Sequence, residues 1–265
     1  MCVICDPSRR GLFRLALGAA AGLAAPSALR AVPAKKPLIM LDPGHGGHDP
    51  GAIASDGVFE KTLTLAAGLD LRHALLRTGR YRVMMTRTRD VYVTLEGRVA
   101  DTIRAGANLF LSLHCDHLPE NKLRGASIFT LSNTASDKLA ARVAADENSA
   151  DTDHSPIAGV SPRVANILAS LETRATKLGS NSLAEDIRTS FQGVVPMLPD
   201  PHRSANFAVL RDPSTPAALL EMGCLSNPLD EKRLRSPRHR RELAENLTRA
   251  IDSYFANYAG HHMAG

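Results

Sequence analysis

Apolar residues along the chain fall into short runs and helical stripes that are separated by polar turns. The run at residues 38–41, Leu-Ile-Met-Leu, leads into a glycine-rich loop that contains His45 and His48. A short apolar run that ends in a turn is typical of a buried strand. Several glycines together indicate a backbone that adopts left-handed conformations. We therefore predict a first strand followed by a loop that presents histidine.

The same analysis predicts alternating strands and helices over the rest of the chain. Further strands are expected at residues 81–85, 109–117, 125–131, 207–210 and 217–223. Helical spacing of apolar residues predicts helices at 60–75, 94–105, 139–148, 164–178, 182–191 and 237–255. Strands that alternate with helices are typical of an α/β fold with a largely parallel sheet. We expect a single α/β domain over residues 35–260.

Residues 136–195 interrupt this alternation. Three helical segments follow one another without a strand between them, and residues 149–162 form a long, polar and turn-rich connection. A connection of this length without regular structure is uncommon inside a compact domain. We interpret residues 136–195 as a helical insertion that acts as a lid or a regulatory element.

The first 34 residues have the composition of an export signal. Arg9 and Arg10 precede a weakly apolar segment, residues 15–28, that is rich in alanine, leucine and glycine. A charged region before an apolar one is typical of secretory signals, and the paired arginines indicate the twin-arginine route. An ordinary secretory signal with coincidental arginines is the alternative. We expect the mature protein in the periplasm.

Charge and composition exclude several classes of function. The formal net charge is +5, of which residues 1–34 carry +3 and the remaining residues +2. A nucleic-acid partner therefore has little support. After residue 34 no apolar stretch reaches 18 residues, so we expect no membrane-spanning helix. The apolar fraction of 44% is sufficient for a full core, although the chain contains no tryptophan.

Polar side chains lie where three of the predicted strands end. His45 follows the first strand, His114 closes the third and Glu221 closes the last. Glu60 opens the first helix, which faces the same edge of the sheet. Two histidines and the carboxylate of Glu60 make the ligand set of an open, catalytic Zn²⁺ site. Glu221 is then the candidate general base.

Four sequence motifs resemble one known family. They are DPGHGGHDPGA around His45, FEKTLTL around Glu60, SLHCD around His114 and LLEMGCLSNPLDEKRL around Glu221. In this order, over residues 37–255, they closely resemble the zinc-dependent N-acetylmuramoyl-L-alanine amidases, the Amidase_3 family. The resemblance implies one Zn²⁺ per chain on His45, Glu60 and His114, with Glu221 as the catalytic glutamate. It also implies a mixed, mostly parallel six-stranded sheet flanked by helices.

The resemblance further implies a reaction and its setting. The expected reaction is hydrolysis of the amide between the lactyl group of N-acetylmuramic acid and L-alanine in peptidoglycan, during cell-wall remodelling and daughter-cell separation. The insertion resembles that of division-associated periplasmic amidases, in which a helix covers the zinc until an activator protein moves it. We therefore expect Glu147 to reach the metal as an autoinhibitory residue, a LytM-type activator protein as a partner, and a monomer. A solvated acidic helix face is the alternative for Glu147.

Two cysteines, Cys115 and Cys224, remain after residue 34. In an exported protein they can form a disulfide or act as small buried apolar side chains. Cys115 and Asp116 stand where members of the family often have Ala-Asp, a departure that leaves the four motif residues intact. Along a strand Cys115 points away from His114, which weakens the case for a cysteine–histidine nucleophile.

Three other functions remain open from the sequence. A zinc peptidase or deacetylase would use the same metal and base on a different bond. A wall-binding module without catalysis would be expected to lack one of the four motif residues, all of which are present. A hydrolase that uses Cys115 would resist chelators. Among neighbouring residues, we expect Arg98 to pair with a carboxylate, and His48 and His117 to lie beside the site.

Overall fold

A six-stranded sheet forms the centre of the molecule. In the computed structural model, which describes residues 35–118, 122–151 and 174–262, the strands pair in the order β2-β1-β3-β6-β4-β5. Only β4 and β6 pair in antiparallel fashion. The predicted mixed, mostly parallel sheet is therefore confirmed. The strands are β1 Leu38–Pro43, β2 Arg82–Met85, β3 Leu109–Asp116, β4 Ala126–Leu131, β5 Met197–Ala205 and β6 Ala217–Cys224.

The adjacent parallel strands β1, β3 and β6 bring the predicted polar residues to one edge. All three strands are buried along their whole length, as their near-continuous apolar sequences predict. In the register of β3 and β6, His114 lies opposite Glu221. β4 enters from the other direction and places Ser127 on the far side of Glu221.

Helices cover both faces of the sheet. The helices α1, α4 and α6 pack on one face, over a core that includes Leu111 and Cys115 of β3. The helix α3 packs on the other face, over a core that includes Phe110 of the same strand. The alternation predicted for β3 thus separates the two cores. The six α-helices of the described residues are α1 Glu60–Arg77, α2 Leu95–Ala105, α3 Lys138–Asn148, α4 Arg174–Phe191, α5 Pro228–Arg235 and α6 Pro237–His262.

Local capping signals define several helix ends. The Thr94 hydroxyl accepts a hydrogen bond from the Gly97 amide at 3.0 Å and starts α2, and Gly106, with φ of 59°, ends it. Asn227 accepts from the Leu229 amide at 3.0 Å and precedes a proline at the start of α5. The sequence analysis did not predict α5, although this Asn-Pro signal was present.

The fifth strand is not the one predicted. Residues 207–210 were expected to form a strand, but Ala208–Leu210 form a 3₁₀ turn. The strand β5, Met197–Ala205, lies at the edge of the sheet and pairs only with β4. It contains two prolines, which an edge strand tolerates but which hide the alternating pattern. The apolar character of residues 207–210 instead reflects burial, because Phe207 is fully buried.

Part of the predicted insertion belongs to the core. The helix α3 matches the predicted helix at 139–148. The helix α4 is continuous from Arg174 to Phe191, whereas two separate helices, 164–178 and 182–191, had been predicted there. Leu183, Ile187 and Phe191 of α4 are fully buried in the core under α1 and α6. The carboxyl-terminal third of the segment 136–195 is therefore a layer of the domain, rather than a cover over it. Residues 152–173 lie outside the described residues.

The described residues from Lys36 onward form one compact unit. Among the described residues, none of the helices has the length and apolar character that a membrane crossing requires. The predicted export signal, residues 1–34, lies outside the described part of the chain.

The burial of α4 gives a test of its place in the core. Ile187→Ala should lower the free energy of unfolding by about 2–5 kcal/mol, because it leaves a cavity in a fully packed layer. Leu178→Ala on the same helix is the matched control, since Leu178 is 60% exposed, and it should change stability by less than about 0.5 kcal/mol. Urea denaturation of both variants measures the difference. Equal effects would place α4 outside the core.

Candidate metal centre

His45 lies in a loop that depends on glycine. His45 has a φ of 60°, in the left-handed region, and Gly46 and Gly47 follow at 130° and 61°. A Cβ on Gly46 would come within 2.2 Å of the Val91 carbonyl oxygen. This backbone path leaves His45 only 7% exposed.

Two buried arginines hold this loop by its carbonyl groups. Arg98 donates to the carbonyl oxygens of Pro43 and His45, both at 2.9 Å, and to Asp42 Oδ1 at 2.6 Å. Arg87 donates to the Pro43 carbonyl oxygen at 2.8 Å. Burial alone would raise the pKa of Asp42, but Arg98 and neighbouring hydroxyls hold it below its usual range. Arg98 therefore pairs with a carboxylate of the fold, as expected.

Glu60 and His114 approach the loop from two other elements. Glu60 is the first residue of α1, and its carboxylate oxygens accept hydrogen bonds from the amides of Ala52 at 2.9 Å and Cys115 at 2.8 Å. His114, from β3, packs its ring against Gly44, where a Cβ would lie 2.3 Å from the imidazole. Glycine at residue 44 is therefore required for the third strand to bring its histidine to the loop.

Four side chains converge on one point. His45, Glu60, His114 and Glu147 each offer one ligand atom, and these atoms lie within 4.8 Å of one another. The carboxylate oxygens of Glu60 lie 3.0 Å from His45 Nε2 and 3.2 Å from His114 Nδ1. Glu147 Oε2, from the last turn of α3, lies 2.9 Å from His114 Nδ1 and 3.5 Å from His45 Nε2. The sequence-predicted ligands are together, and the residue expected to reach them does so.

The histidine–carboxylate contacts are close to the spacing of ligands around a small ion. Ligand atoms about 2.0–2.1 Å from Zn²⁺ at tetrahedral angles lie about 3.3 Å from one another. The four contacts above are 2.9 to 3.5 Å long, and the four ligand atoms as a set lie within 4.8 Å of one another. Within the described part of the chain, His45 Nε2 and His114 Nδ1 are also buried nitrogens without an aligned hydrogen-bond partner. Buried polar atoms are nearly always satisfied. Two imidazole nitrogens beside carboxylate oxygens therefore form a donor set that suits Zn²⁺.

The carboxylates control the protonation of both histidines. Burial lowers the pKa of His45, but Glu60, Glu147 and the hydrogen bond to Asp49 outweigh it and raise the pKa to about 10. Burial likewise lowers the pKa of His114, and Glu147 and Glu60 raise it to about 10. In the metal-free protein both histidines are therefore protonated at neutral pH, and a metal has to displace both protons.

Glu221 lies on the strand beside His114, on the same face of the sheet. It is 1% exposed, and neither of its carboxylate oxygens has a hydrogen-bond partner among the described residues. Burial, followed by the nearby carboxylate of Asp116, raises the pKa of Glu221 well above its usual range. A carboxyl group with a raised pKa holds a proton readily, which is the property of a general acid–base group.

A cavity of about 460 Å³ opens onto the ligand set. Ile53, from the segment before α1, lines one side of the cavity, and Arg142 and Asp146 of α3 line another. Glu147 lines the cavity as well, and its carboxylate lies beside the two histidines.

The sequence analysis assigned no role to two further carboxylates. His45 Nδ1 donates to Asp49 Oδ2 at 2.8 Å, which orients the imidazole with Nε2 toward the ligand set. Asp116 lines the cavity, and burial together with Glu147 raises its pKa to about 7. Strand alternation from His114 was a signal for Asp116, because residues two apart share a face. The spacing of four residues from His45 to Asp49 gave no comparable signal.

Both cysteines are free and fully buried, which supports the apolar alternative. Cys115 packs in the core under α1, and burial raises the pKa of its thiol well above its usual value. A buried, neutral thiol is a poor nucleophile, so the geometry does not support a cysteine hydrolase. His117 lines the cavity, and the ring of His48 lies 4.1 Å from that of Tyr92 near the His45 loop.

Comparisons with known proteins identify relatives over most of the chain. Residues 39–253, which include every ligand described above, match the family model for N-acetylmuramoyl-L-alanine amidase, Amidase_3. The chain is 34% identical over 221 residues to N-acetylmuramoyl-L-alanine amidase AmiC of Neisseria meningitidis serogroup B. It is 35% identical over 228 residues to AmiA of Salmonella typhimurium. Each alignment covers 83% of this chain, but 53% of the Neisseria protein and 76% of the Salmonella protein.

Solved structures share the fold at lower identity. The CwlD amidase from Clostridioides difficile, in complex with the GerS lipoprotein, superposes with a TM-score of 0.62 at 24% identity, over 84% of this chain and 99% of that one. The amidase Ami1 from Mycobacterium smegmatis gives 0.64 at 19% identity, over 83% and 97%. At these identities the structures establish the fold alone.

The raised histidine pKa values predict how metal binding depends on pH. Free histidine in an unfolded chain has a pKa of 6.5, whereas His45 and His114 are raised to about 10. Their protonation therefore stabilises the metal-free protein fully below pH 6.5, and this stability is lost as the pH rises toward 10. Metal binding displaces both protons, so zinc affinity should rise by up to about a hundredfold per pH unit in this window.

The measurement is the increase in Tm caused by buffered zinc at several pH values between 6.5 and 9. The increase should grow with pH, because the competing protons become fewer. The same series with zinc-free buffer should show a falling Tm. A zinc-induced increase that is constant or shrinks with pH would contradict this protonation of the site.

Proposed function

The chain belongs to the N-acetylmuramoyl-L-alanine amidase family, and on this premise we propose that it hydrolyses the amide between the lactyl group of N-acetylmuramic acid and L-alanine in peptidoglycan. The observation that carries the proposal is the convergence of His45, Glu60 and His114, with Glu221 on the adjacent strand. In this proposal the chain acts in cell-wall remodelling and daughter-cell separation.

The proposed cofactor is one Zn²⁺ per chain, held by His45 Nε2, His114 Nδ1 and the carboxylate of Glu60. The convergence of the ligand atoms within 4.8 Å, and two buried imidazole nitrogens that lack an aligned hydrogen bond, support this assignment. When bound, Zn²⁺ polarises the scissile carbonyl and lowers the pKa of water. The chain supplies orientation: Asp49 accepts from His45 Nδ1 and so keeps Nε2 available as a ligand.

Glu221 is the proposed general base. Its oxygens make no hydrogen bond within the described residues, and the strand register sets it beside His114. It takes a proton from the attacking water and passes that proton to the nitrogen of L-alanine as the amide breaks. Glu60 is less suited to this role, because both of its oxygens already accept backbone amides.

Glu147 is the proposed autoinhibitory residue. Its carboxylate, 2.9 Å from His114 Nδ1, occupies space that the water and the scissile carbonyl need. Hydrolysis then requires α3 to move, and a LytM-type activator protein is the proposed partner that moves it. The complex of the distantly related CwlD amidase with a lipoprotein is consistent with regulation by a partner.

The proposed location is the periplasm, where peptidoglycan is accessible. Residues 1–34 would serve as the export signal, and the paired Arg9 and Arg10 favour the twin-arginine route. We assign a monomer, because one chain supplies all of the ligand atoms of the site.

Mass analysis of digested peptidoglycan tests the reaction directly. Purified peptidoglycan is incubated with the zinc-loaded protein, with and without a chelator. Free stem peptides that begin with L-alanine, and that disappear on chelation, are the expected products. Cleavage of a different bond would indicate a zinc peptidase or deacetylase instead.

The role of Glu221 predicts a specific loss. Glu221→Gln should lower kcat by a factor of about 10²–10⁴, the usual effect of removing a general base, without loss of bound zinc. Glu242→Gln on α6, whose carboxylate is 47% exposed, is the matched control and should keep full activity. Zinc content by metal analysis separates the outcomes. Retained activity in Glu221→Gln would exclude it as the base.

The role of Glu147 predicts a gain. Glu147→Ala should raise the basal activity more than about tenfold, equivalent to about 1.4 kcal/mol of inhibitory contact. Glu242→Ala on α6 is the control, because its side chain is 47% exposed and does not line the cavity. Release of stem peptides without any activator is the measurement. A fall in activity for Glu147→Ala would assign this carboxylate to catalysis or to metal retention.

A further inference from the structure

Two exposed apolar side chains stand together at the mouth of the metal site. Ile53 is 49% exposed and Phe59 is 41% exposed. They face each other across a small antiparallel hairpin in which the Glu60 amide donates to the Ala52 carbonyl at 2.8 Å and the Ala54 amide donates to the Val58 carbonyl at 2.9 Å. These bonds flank the pair, so Ile53 and Phe59 form a non-hydrogen-bonded pair, whose side chains lie closest. We call this pair the apolar platform.

The hairpin under the platform is fixed at both ends. At its tip, the Ser55 hydroxyl donates to Glu231 Oε2 at 3.2 Å, and Asp56 forms an ion pair with Arg235 of α5. At its base, the chain continues directly into Glu60, a ligand of the proposed metal. The platform is therefore placed by the same backbone that places the metal ligand.

The ring of Phe59 is also oriented. Lys61 Nζ lies 5.7 Å from the ring centroid, a cation–π distance. Lys61 is held in turn by the Gly47 carbonyl at 2.6 Å and by Asp90 at 2.8 Å. An exposed phenylalanine normally loses side-chain freedom when it binds a ligand. The contact with Lys61 already restricts the Phe59 ring, so less conformational entropy is lost on binding.

The platform is continuous with the cavity above the ligands. Ile53 lines this cavity together with His45 and Glu60, and the charged residues Arg142 and Asp146 line it as well. The lining therefore offers two kinds of chemistry: an apolar surface on the hairpin, and a charged surface on α3. The substrate has the same asymmetry, since a sugar lies on the acyl side of the scissile amide and a carboxylate-bearing peptide lies on the amine side.

We propose that the platform of Ile53 and Phe59 is a saccharide subsite that binds the N-acetylmuramic acid residue of the substrate. The inference rests on the proposed function, because a scissile carbonyl at His45 and Glu60 brings its attached sugar next to the hairpin. Pyranose rings present apolar C–H faces that stack on aromatic side chains. The exposed ring of Phe59 provides such a surface, and Ile53 extends it toward the cavity.

A binding experiment tests the subsite without requiring hydrolysis. The chain contains no tryptophan, so Phe59→Trp introduces a single fluorescent reporter on the platform. The peptide-free disaccharide of N-acetylglucosamine and N-acetylmuramic acid should change its emission in a saturable way. A stem peptide without sugar should leave it unchanged. Ile103→Trp is the matched control, because Ile103 is 51% exposed near the end of α2, far along the chain from the ligand loop.

A kinetic experiment measures the contribution to the reaction. Phe59→Ala, placed in the Glu147→Ala protein, should raise KM for a disaccharide peptide about tenfold, equivalent to about 1.4 kcal/mol, with kcat changed less than about twofold. The KM for a lactyl peptide that lacks the sugar should not change. Phe59→Tyr should restore the parental KM, because it keeps the aromatic face. Ile103→Ala should behave like the parent.

The outcomes separate the subsite from the reaction. Saturable binding of the disaccharide to the Phe59→Trp protein supports the subsite even if the parent hydrolyses nothing, in which case the proposed function fails alone. If the parent is active but Phe59→Ala leaves both KM values unchanged, the subsite is wrong and the proposed function stands. An equal rise in KM for both substrates would assign the platform to the peptide and overturn the saccharide assignment.

Discussion

The metal centre depends on a set of buried carbonyl groups that two arginines satisfy. After β1 the carbonyl oxygens of Pro43, Gly44 and His45 all accept hydrogen bonds from Arg87 or Arg98. A buried backbone carbonyl without a partner is costly, and a non-glycine residue with left-handed φ adds further strain. The arginines pair the buried carbonyl groups, and they keep the loop in place despite the strained backbone of His45. His45 can occupy its place in the site only because this network is complete.

Three glutamates of the site differ in what surrounds them. Glu60 is held by two backbone amides and lies between two histidines, which lower its pKa against the effect of burial. Glu221 has no hydrogen-bond partner among the described residues, and burial raises its pKa. Glu147 sits on a helix of the other layer and reaches the histidines from outside. One side-chain type is thus proposed in three roles, as a ligand, a base and a blocking group, because the environment decides its protonation and its freedom to move.

The sequence predicted the elements whose pattern is local and apolar. The strands β1, β3 and β6 have continuous apolar sequences because both of their faces are buried, so the fold class and the shared edge of His45, His114 and Glu221 followed from the chain alone. The strand β5 was not predicted, because an edge strand can contain proline and can lack an alternating apolar pattern. The position of Glu147 depends on how α3 packs, and only the family resemblance pointed to it. The role of Asp49 was not predicted, because its hydrogen bond with His45 depends on a left-handed turn that residue spacing does not reveal.

The way α3 is held bears on how Glu147 is released in the proposed mechanism. The buried side chains of α3 are Ala140, Val143 and Ala144, a small apolar area that contributes only a few kcal/mol, on the order of 25 cal/mol per Å². Such a helix is displaced at lower cost than α4, whose buried face carries leucine, isoleucine and phenylalanine. The other attachment is electrostatic. In the metal-free protein Glu147 faces protonated histidines, and in a zinc-loaded site it would face the metal, so a carboxylate is attracted in both states. We infer that metal binding, which displaces the histidine protons, does not free the proposed site, and that a partner competes for α3 itself.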